Sequence, residues 1–151
     1  MTRQLLFLCT GNYYRSRFAE ILFNKMAVRE GLGWLASSRG LLPEIRSRNP
    51  GPISPHAREG LAERGILLEE NQRFPLELDK HELAAADRVI ALKEAEHRPL
   101  LAERFPGWED RVEYWHVHDL DAAQASVALT QIERQVVALI WRLRRDRAGQ
   151  L

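Results

Sequence analysis

Cysteine is almost absent from this sequence. Cys9 is the single thiol among 151 residues, so no disulfide can form within the chain, and Cys and His do not recur at the spacing of a zinc site. Long apolar runs are absent as well: none approaches the ~20 residues that span a bilayer, and the N-terminus lacks the apolar segment of a secretory signal peptide. We therefore expect a cytoplasmic protein with a free thiol and no membrane partner.

An excess of charge of either sign is also missing. Lys and Arg number 22 and Asp and Glu 21, which gives a net charge of +1 and no reason to expect a nucleic-acid partner. A chain of 151 residues suits one domain with a substantial core, and no linker or low-complexity tract divides it. We predict a single domain over residues 1–151.

Short apolar segments alternate with amphipathic helical segments along the chain. The predicted strands are residues 3–9, 34–38, 88–92 and 112–117. The predicted helices are residues 15–30, a segment opened by Ser54-Pro55 and closed by Gly65, and residues 79–86, 93–105 and 124–147. This alternation predicts an α/β domain, a four-stranded parallel sheet with helices on both faces. In such a sheet, the loops after the first and fourth strands meet at the same edge.

One segment carries the features of an anion-binding loop. It lies between the apolar run 5–8 and the first helix and reads Cys9-Thr10-Gly11-Asn12-Tyr13-Tyr14-Arg15-Ser16. The backbone N–H groups of a loop that enters a helix N-terminus converge on one point and bind anions. Gly11 and Asn12 tolerate the left-handed backbone conformation. We predict a phosphate-binding loop whose members are Thr10, Gly11, Asn12, Tyr13, Tyr14 and Ser16.

Two side chains of this loop suit chemistry on a phosphoryl group. Amide dipoles and a nearby Arg favour the nucleophilic thiolate of Cys9, and the Ser16 hydroxyl can donate to it. The Arg15 guanidinium offers a planar fork that matches two phosphoryl oxygens. The Cys-to-Arg spacing alone is weak evidence, because 19 of the 151 residues are Arg. The alternative is a buried structural Cys followed by a surface Arg.

Residues 6–20, Leu-Phe-Leu-Cys-Thr-Gly-Asn-Tyr-Tyr-Arg-Ser-Arg-Phe-Ala-Glu, resemble the signature of the low-molecular-weight protein tyrosine phosphatases. The length, the order of elements and a late Asp extend the resemblance over the whole chain. It implies a cysteine-dependent phosphomonoesterase that acts through a phosphocysteine intermediate, without a cofactor. Its expected partners are a phosphorylated protein or a small aryl phosphate, with inorganic phosphate as product. The oligomeric state is left open.

The same resemblance identifies a general acid after the fourth strand. In the family, a Trp-x-x-x-Asp-Pro segment carries this carboxyl group, and the segment Trp115-His116-Val117-His118-Asp119-Leu120 is similar to it. Asp119 is therefore predicted to protonate the leaving group and then to take a proton from the hydrolytic water. Asp121 is a rival for this role, and either carboxylate could instead cap a helix.

Several positions depart from the family pattern. Tyr14 stands where a second Cys is common, so no internal disulfide can protect Cys9 from over-oxidation. Tyr13 replaces a usually aliphatic residue of the pocket wall. A bulky ring there argues against phosphoarginine, a substrate known in a close branch, and leaves the preference for phosphotyrosine open. Leu120 replaces the Pro after the acid.

These departures keep two other hypotheses in view. The first is a phospho-ligand binding module with weak or no turnover. The second is a phosphocarrier, which Arg15 disfavours because carrier loops usually lack an Arg clamp. His116 and His118 share one face of the predicted strand, but no third ligand accompanies them, and we predict no metal site.

Overall fold

The central sheet is parallel and has four strands, as predicted. The computed structural model describes residues 2–43, 49–117 and 125–149. The strands are β1 (Arg3–Cys9), β2 (Trp34–Gly40), β3 (Arg88–Ala91) and β4 (Glu113–Tyr114). They lie side by side in the order β2-β1-β3-β4, each parallel to its neighbour. The carboxyl ends of all four strands therefore lie at one edge of the sheet.

Helices cover both faces of this sheet. In the described residues they are α1 (Arg15–Glu30), α2 (Pro55–Glu63), α3 (Lys80–Ala85), α4 (Glu94–Arg104) and α5 (Ala125–Gly149). Their ends lie within about two residues of the predicted ones, and the predicted start of the last helix, Gln124, lies outside the described residues. A 3₁₀ turn at Trp108–Asp110, which was not predicted, precedes β4.

The side chains of β1 divide the core in two. Those that point to one face, Leu5, Phe7 and Cys9, pack with α1, α2 and α5. Those that point to the other, Leu6 and Leu8, pack with α3 and α4. Burial of each large aliphatic side chain stabilises the fold by about 1.5–3 kcal/mol. Because β1 is buried on both faces, the loop that follows it starts from the most firmly held strand of the sheet.

Three strands differ from their predicted lengths, and β3 differs only by ending at Ala91, one residue before its predicted end. β2 continues to Gly40, where the neighbouring segment extends the pairing: Gly40 N–H donates to the Leu76 carbonyl oxygen and Leu78 N–H donates to that of Gly40. β4 is limited to Glu113 and Tyr114, which pair with Ile90 and Ala91, although the N–H groups of residues 115 and 117 still donate to the carbonyl oxygens of residues 91 and 92. Beyond β4, His116 pairs with Lys93 in an isolated antiparallel bridge.

The helix ends follow local rules. Ser54 Oγ accepts the His56 N–H at 3.1 Å and caps α2, with Pro55 at its first position, as predicted. Asp79 and Glu82 form a reciprocal capping box at the start of α3. Gly31 ends α1 with φ 59°. Among the helices of the described ranges, none combines the length and apolar character needed to cross a membrane.

Candidate active site

The loop between β1 and α1 forms a cradle at the carboxyl edge of the sheet. Cys9 ends β1 with 3% of its surface exposed, and Arg15 begins α1. Tyr14 precedes the helix but directs its hydroxyl to the Ala125 carbonyl oxygen, 3.1 Å away. The amides of the first helical turn are therefore not capped by that side chain. Such amides carry partial positive charge and suit an anion.

Two polar groups contact the Cys9 sulfur. Ser16 Oγ lies 2.9 Å from Sγ, and the Asn12 N–H donates to Sγ at 3.2 Å. Both contacts are buried, since Ser16 and Asn12 have no exposed surface. Hydrogen bonds of this kind stabilise negative charge on sulfur.

The side chain of Asn12 fixes the shape of the loop. Its Nδ2 donates to Ser16 Oγ at 2.8 Å and to Ser38 Oγ at 2.9 Å. Its Oδ1 accepts from Arg73 Nη1 at 2.9 Å and from the Leu76 N–H at 3.1 Å. These four bonds offset the cost of the left-handed backbone of Asn12, whose φ is 51°.

The same bonds involve two hydroxyl groups. Because Ser16 Oγ accepts from Asn12 Nδ2, the Ser16 hydroxyl proton remains available for donation to a Cys9 thiolate. Ser38 Oγ, which also accepts a hydrogen bond from Asn12 Nδ2, donates to Glu20 Oε1 at 2.8 Å. Arg73 completes the network with an ion pair to Glu20 at 3.3 Å. Asn12, which bonds to Ser16, is therefore held in place by groups that lie farther from Cys9 in sequence, such as Ser38 and Arg73.

The back of the cradle rests on the backbone that extends β2. The Leu41 N–H donates to the Cys9 carbonyl oxygen at 2.9 Å, and the Leu42 N–H donates to that of Thr10 at 2.8 Å. A Cβ atom at Gly40 would lie 3.0 Å from the Thr10 oxygen and 3.1 Å from Asn12 Cβ. Only glycine allows this close approach.

The guanidinium of Arg15 is paired with a carboxylate of α4. Arg15 is 5% exposed, and its Nη2 lies 2.9 Å from Glu96 Oε2. His97 Nδ1 accepts the Lys93 N–H at 3.0 Å, which leaves the proton on Nε2, 3.2 Å from the same Glu96 oxygen. The hydrogen bond from His97, followed by the charge of Arg15, holds the pKa of Glu96 far below its usual range although burial opposes this. Glu96 is therefore ionised.

The two tyrosines of the loop contact α2 and the segment that precedes it. Tyr13 donates its hydroxyl to the Pro50 carbonyl oxygen at 2.6 Å, and its own carbonyl oxygen accepts the Ser54 N–H at 3.0 Å. Burial raises the pKa of Tyr13. The Tyr14 ring meets the His56 ring edge to face at 6.2 Å. The aromatic rim of the cradle is thus held in place.

The structure brings the predicted loop residues together around Cys9, whereas the predicted acid lies outside the described residues. Asp119, its rival Asp121 and His118 all lie outside the described residues. The chain is described as far as Val117, whose N–H donates to the Leu92 carbonyl oxygen at the same edge of the sheet. No cluster of three metal-ligating side chains occurs in the described ranges.

Sequence reasoning missed Ser38, Glu20, Arg73 and the pair Glu96–His97. Two of them could have been found, because sites in parallel sheets lie beyond the carboxyl ends of the strands. Ser38 lies near the end of β2, and Glu96 lies in the first turn of the helix that follows β3. For Arg73, in an irregular segment, no sequence signal was present.

Comparisons with known proteins agree with this geometry. A family model described as low molecular weight phosphotyrosine protein phosphatase matches residues 4–148. A protein-arginine-phosphatase of Bacillus subtilis (strain 168) is 36% identical over 108 residues, which are 72% of this chain and 67% of that protein.

Two solved structures extend the likeness to nearly the full chain. The YwlE arginine phosphatase, in a mutant with a phosphorylated active-site serine, is 28% identical with a TM-score of 0.76, over 96% of this chain and 98% of that one. A low molecular weight protein tyrosine phosphatase from T. tengcongensis is 25% identical, also with a TM-score of 0.76, over 93% and 99%.

Proposed function

The chain belongs to the low molecular weight phosphotyrosine protein phosphatase family, and we propose that it hydrolyses phosphomonoesters through a phosphocysteine intermediate on Cys9. The setting of the sulfur carries the proposal. It lies at the base of a loop that enters a helix N-terminus, 2.9 Å from Ser16 Oγ and 3.2 Å from the Asn12 nitrogen. Both neighbours favour a thiolate, which is the nucleophilic form of cysteine.

The reaction proceeds in two displacements at phosphorus. The Cys9 thiolate attacks in line with the leaving oxygen, so that the P–S bond forms, the P–O bond breaks and Asp119 gives its proton to the leaving oxygen. Asp119, now a carboxylate, then takes a proton from a water molecule whose oxygen attacks phosphorus. The P–S bond breaks, and thiolate and inorganic phosphate are released. The amides of residues 10–15 and the Arg15 guanidinium hold the equatorial oxygens.

The solved YwlE structure supports the choice of nucleophile. It carries a phosphoryl group on a serine of its active site. That observation concerns the relative, and it shows that this fold accommodates a phosphoryl group bonded to an active-site side chain. In this chain, Cys9 is a buried free cysteine at the end of β1, and we assign it the role of nucleophile.

The mechanism is tested with an aryl phosphate and three variants. Cys9→Ser is expected to lose turnover, and rapid acid quench of the wild type should reveal phosphocysteine. Asp119→Asn is expected to slow hydrolysis of a substrate with a poor leaving group by roughly 10²–10⁴. If only Asp121→Asn has this effect, Asp121 is the acid. Phosphate binding without turnover in the wild type would instead support a phospho-ligand binding module.

For the substrate, we propose aryl phosphates, phosphotyrosine above all. The Tyr13 ring stands beside the loop, fixed by its hydrogen bond to Pro50, and offers a flat surface to an aryl group. Phosphoarginine is the second candidate, because the relative from B. subtilis is named a protein-arginine-phosphatase.

Two peptides that differ only in the phosphorylated residue separate these candidates. Tyr13→Ala is expected to lower kcat/KM for phosphotyrosine by about tenfold, the worth of one aromatic contact. Tyr13→Phe keeps the ring and serves as the matched control. A wild type that hydrolyses the phosphoarginine peptide faster would transfer the assignment to the second candidate.

A further inference from the structure

Tyr14 connects the Cys9 loop to a residue far along the chain. Its hydroxyl donates to the carbonyl oxygen of Ala125 at 3.1 Å, across 111 positions. Its ring meets the His56 ring edge to face, with 6.2 Å between the centroids. Neither displacement at phosphorus uses this side chain, although Tyr14 directly precedes Arg15.

The starts of three helices meet at Tyr14. Its carbonyl oxygen accepts the Phe18 N–H at 3.0 Å, which is the first hydrogen bond of α1. His56 is the second residue of α2, and Ala125 is the first residue of α5 as the structure describes it. Tyr14 therefore begins α1 with its backbone and, with its side chain, attaches the beginning of α5 to the loop that contains Cys9.

Packing fixes the position of the Tyr14 hydroxyl. The side chain is half-buried and packs against the apolar core that α1 and α5 share. Phe18 on α1 and Leu129 on α5 belong to the same core, and each is at most 3% exposed. A close-packed core on one side and a directional hydrogen bond on the other leave the hydroxyl little freedom. The start of α5 is therefore fixed relative to Arg15.

Ala125 also follows directly after the segment that carries the predicted acid. Residues 118–124, which lie outside the described residues, include Asp119 and its rival. Val117, which precedes this segment, donates its N–H to the Leu92 carbonyl oxygen at 2.9 Å. The residues on either side of the segment are thus both attached at the carboxyl edge of the sheet. A chain attached at both ends has fewer accessible arrangements than a chain attached at one end.

We propose that Tyr14 is a positioning residue for proton transfer to the leaving oxygen. Its hydroxyl holds the start of α5, where the acid-bearing segment ends, in a fixed position relative to Arg15 and the phosphoryl group that Arg15 binds. Proton transfer requires the acid within hydrogen-bond reach of the leaving oxygen, so release of this attachment slows that step. This inference deepens the proposed function and rests on it.

The test compares Tyr14→Phe, which removes only the hydroxyl, with Tyr114→Phe as the matched control. The Tyr114 hydroxyl also donates to a backbone carbonyl oxygen, that of Glu109 at 2.8 Å, but this bond joins β4 to the turn before it. The ratio kcat/KM is measured for two aryl phosphates. Phenyl phosphate has a leaving group that needs a proton, whereas 4-nitrophenyl phosphate has one that departs as an anion.

In Tyr14→Phe, kcat/KM for phenyl phosphate should fall about tenfold, a part of the roughly 10²–10⁴ that a general acid supplies. The value for 4-nitrophenyl phosphate should stay within about twofold of the wild type, because its leaving group needs no proton. Tyr114→Phe should keep the wild-type values for both substrates. In the variant that lacks the acid, Asp119→Asn or Asp121→Asn, Tyr14→Phe should have no further effect on phenyl phosphate.

Phosphate affinity and thermal unfolding distinguish a purely structural role. Tyr14→Phe should leave the dissociation constant of inorganic phosphate unchanged. The midpoint of thermal unfolding should fall by similar amounts in Tyr14→Phe and Tyr114→Phe, since each variant loses one hydrogen bond. An equal loss of kcat/KM with both substrates, together with weaker phosphate binding, would show that Tyr14 only shapes the loop and would overturn the inference. Unchanged kcat/KM for phenyl phosphate would overturn it as well.

Failure of the proposed function gives a different result. A wild type that hydrolyses neither aryl phosphate contradicts the phosphatase activity and, with it, the role of Tyr14. A wild type that hydrolyses both, beside a Tyr14→Phe variant with the same preference between them, contradicts the role of Tyr14 alone.

Discussion

The two sides of the Cys9 loop are built from different interactions. On one side, Asn12 uses every donor and acceptor of its amide in neutral or singly charged hydrogen bonds. On the other, Arg15 meets Glu96 in an ion pair that His97 supports. The first arrangement specifies shape, because hydrogen bonds are directional. The second specifies charge, because Glu96 sets how much of the Arg15 charge remains for a ligand. Changes on the two sides should therefore affect different steps.

The largest effect is expected on the Asn12 side. Asn12→Ala removes the donor to the Ser16 hydroxyl and the four bonds that hold a left-handed residue. We expect kcat to fall by roughly 10²–10³, comparable to the loss of a preorganised donor in an active site, with a smaller change in KM. Steady-state kinetics with an aryl phosphate measure both.

Asn24→Ala is the matched control for that variant. Asn24 also bridges α1 and β2, through two hydrogen bonds to the backbone of Ala36 at 2.7 and 3.0 Å, but away from the loop. The Asn24→Ala variant should lose about 1–3 kcal/mol of unfolding free energy and keep the kcat of the wild type. If both variants lose activity in proportion to stability, Asn12 has no special role in shaping the loop.

A change at Glu96 should alter the affinity of the site for phosphate. Glu96→Gln keeps hydrogen-bonding atoms beside Arg15 but removes the negative charge, so more of the Arg15 charge is available to a dianion. We expect the dissociation constant of phosphate to decrease on the order of tenfold. Glu94→Gln is the control, since Glu94 lies on the same helix but pairs with Arg98 on the exposed side. Weaker phosphate binding in Glu96→Gln would mean that Glu96 mainly positions Arg15.

Acid should remove the stability that Glu96 contributes. The hydrogen bond from His97 and the charge of Arg15 lower its pKa below the ordinary 4.5, so below that pH the unfolded chain binds a proton that the native chain does not. The contribution is complete above about pH 5.5 and is lost as the pH falls towards the native value. The difference in unfolding free energy between wild type and Glu96→Gln, about 1–2 kcal/mol at pH 7, should shrink below pH 4.5. A difference that stays constant down to pH 3 would contradict this.

The smallest effect is expected for an ion pair of similar length at the surface. Arg98 lies 2.8 Å from Asp110, whose side chain is 80% exposed. Solvent screens such a pair, so its contribution to the free energy of unfolding is small. Denaturant unfolding of Asp110→Ala should be indistinguishable from that of the wild type, and a measurable loss of stability would show that distance matters more than burial in this protein.

Local sequence patterns predicted the elements that depend on near neighbours. The apolar run of β1 and the stripe of α5 define their own burial, and the stripe residues are buried as predicted: Leu129, Ile132, Val136, Ile140 and Leu143. The length of β4 could not be predicted in the same way. Residues 112–117 suit a strand of six residues, but only Glu113 and Tyr114 pair with β3, and that depends on the path of the neighbouring strand.

Contacts between distant residues explain why the site was only partly predictable. Loop membership followed from a contiguous segment of residues 9–16. By contrast, Arg73 reaches Asn12 across 61 positions and Glu96 reaches Arg15 across 81. Which charged side chain meets which depends on the path of the intervening chain, and no local pattern encodes it. The role of Asp119 stays a prediction.

The lack of space for a side chain at Gly40 constrains how this protein can evolve. With no room for a side chain behind the cradle, most replacements at Gly40 would push Thr10 and Asn12 outward and alter the dimensions of the pocket floor. New specificities are therefore expected to arise by mutation of the rim, at positions such as Tyr13, while the floor is inherited unaltered.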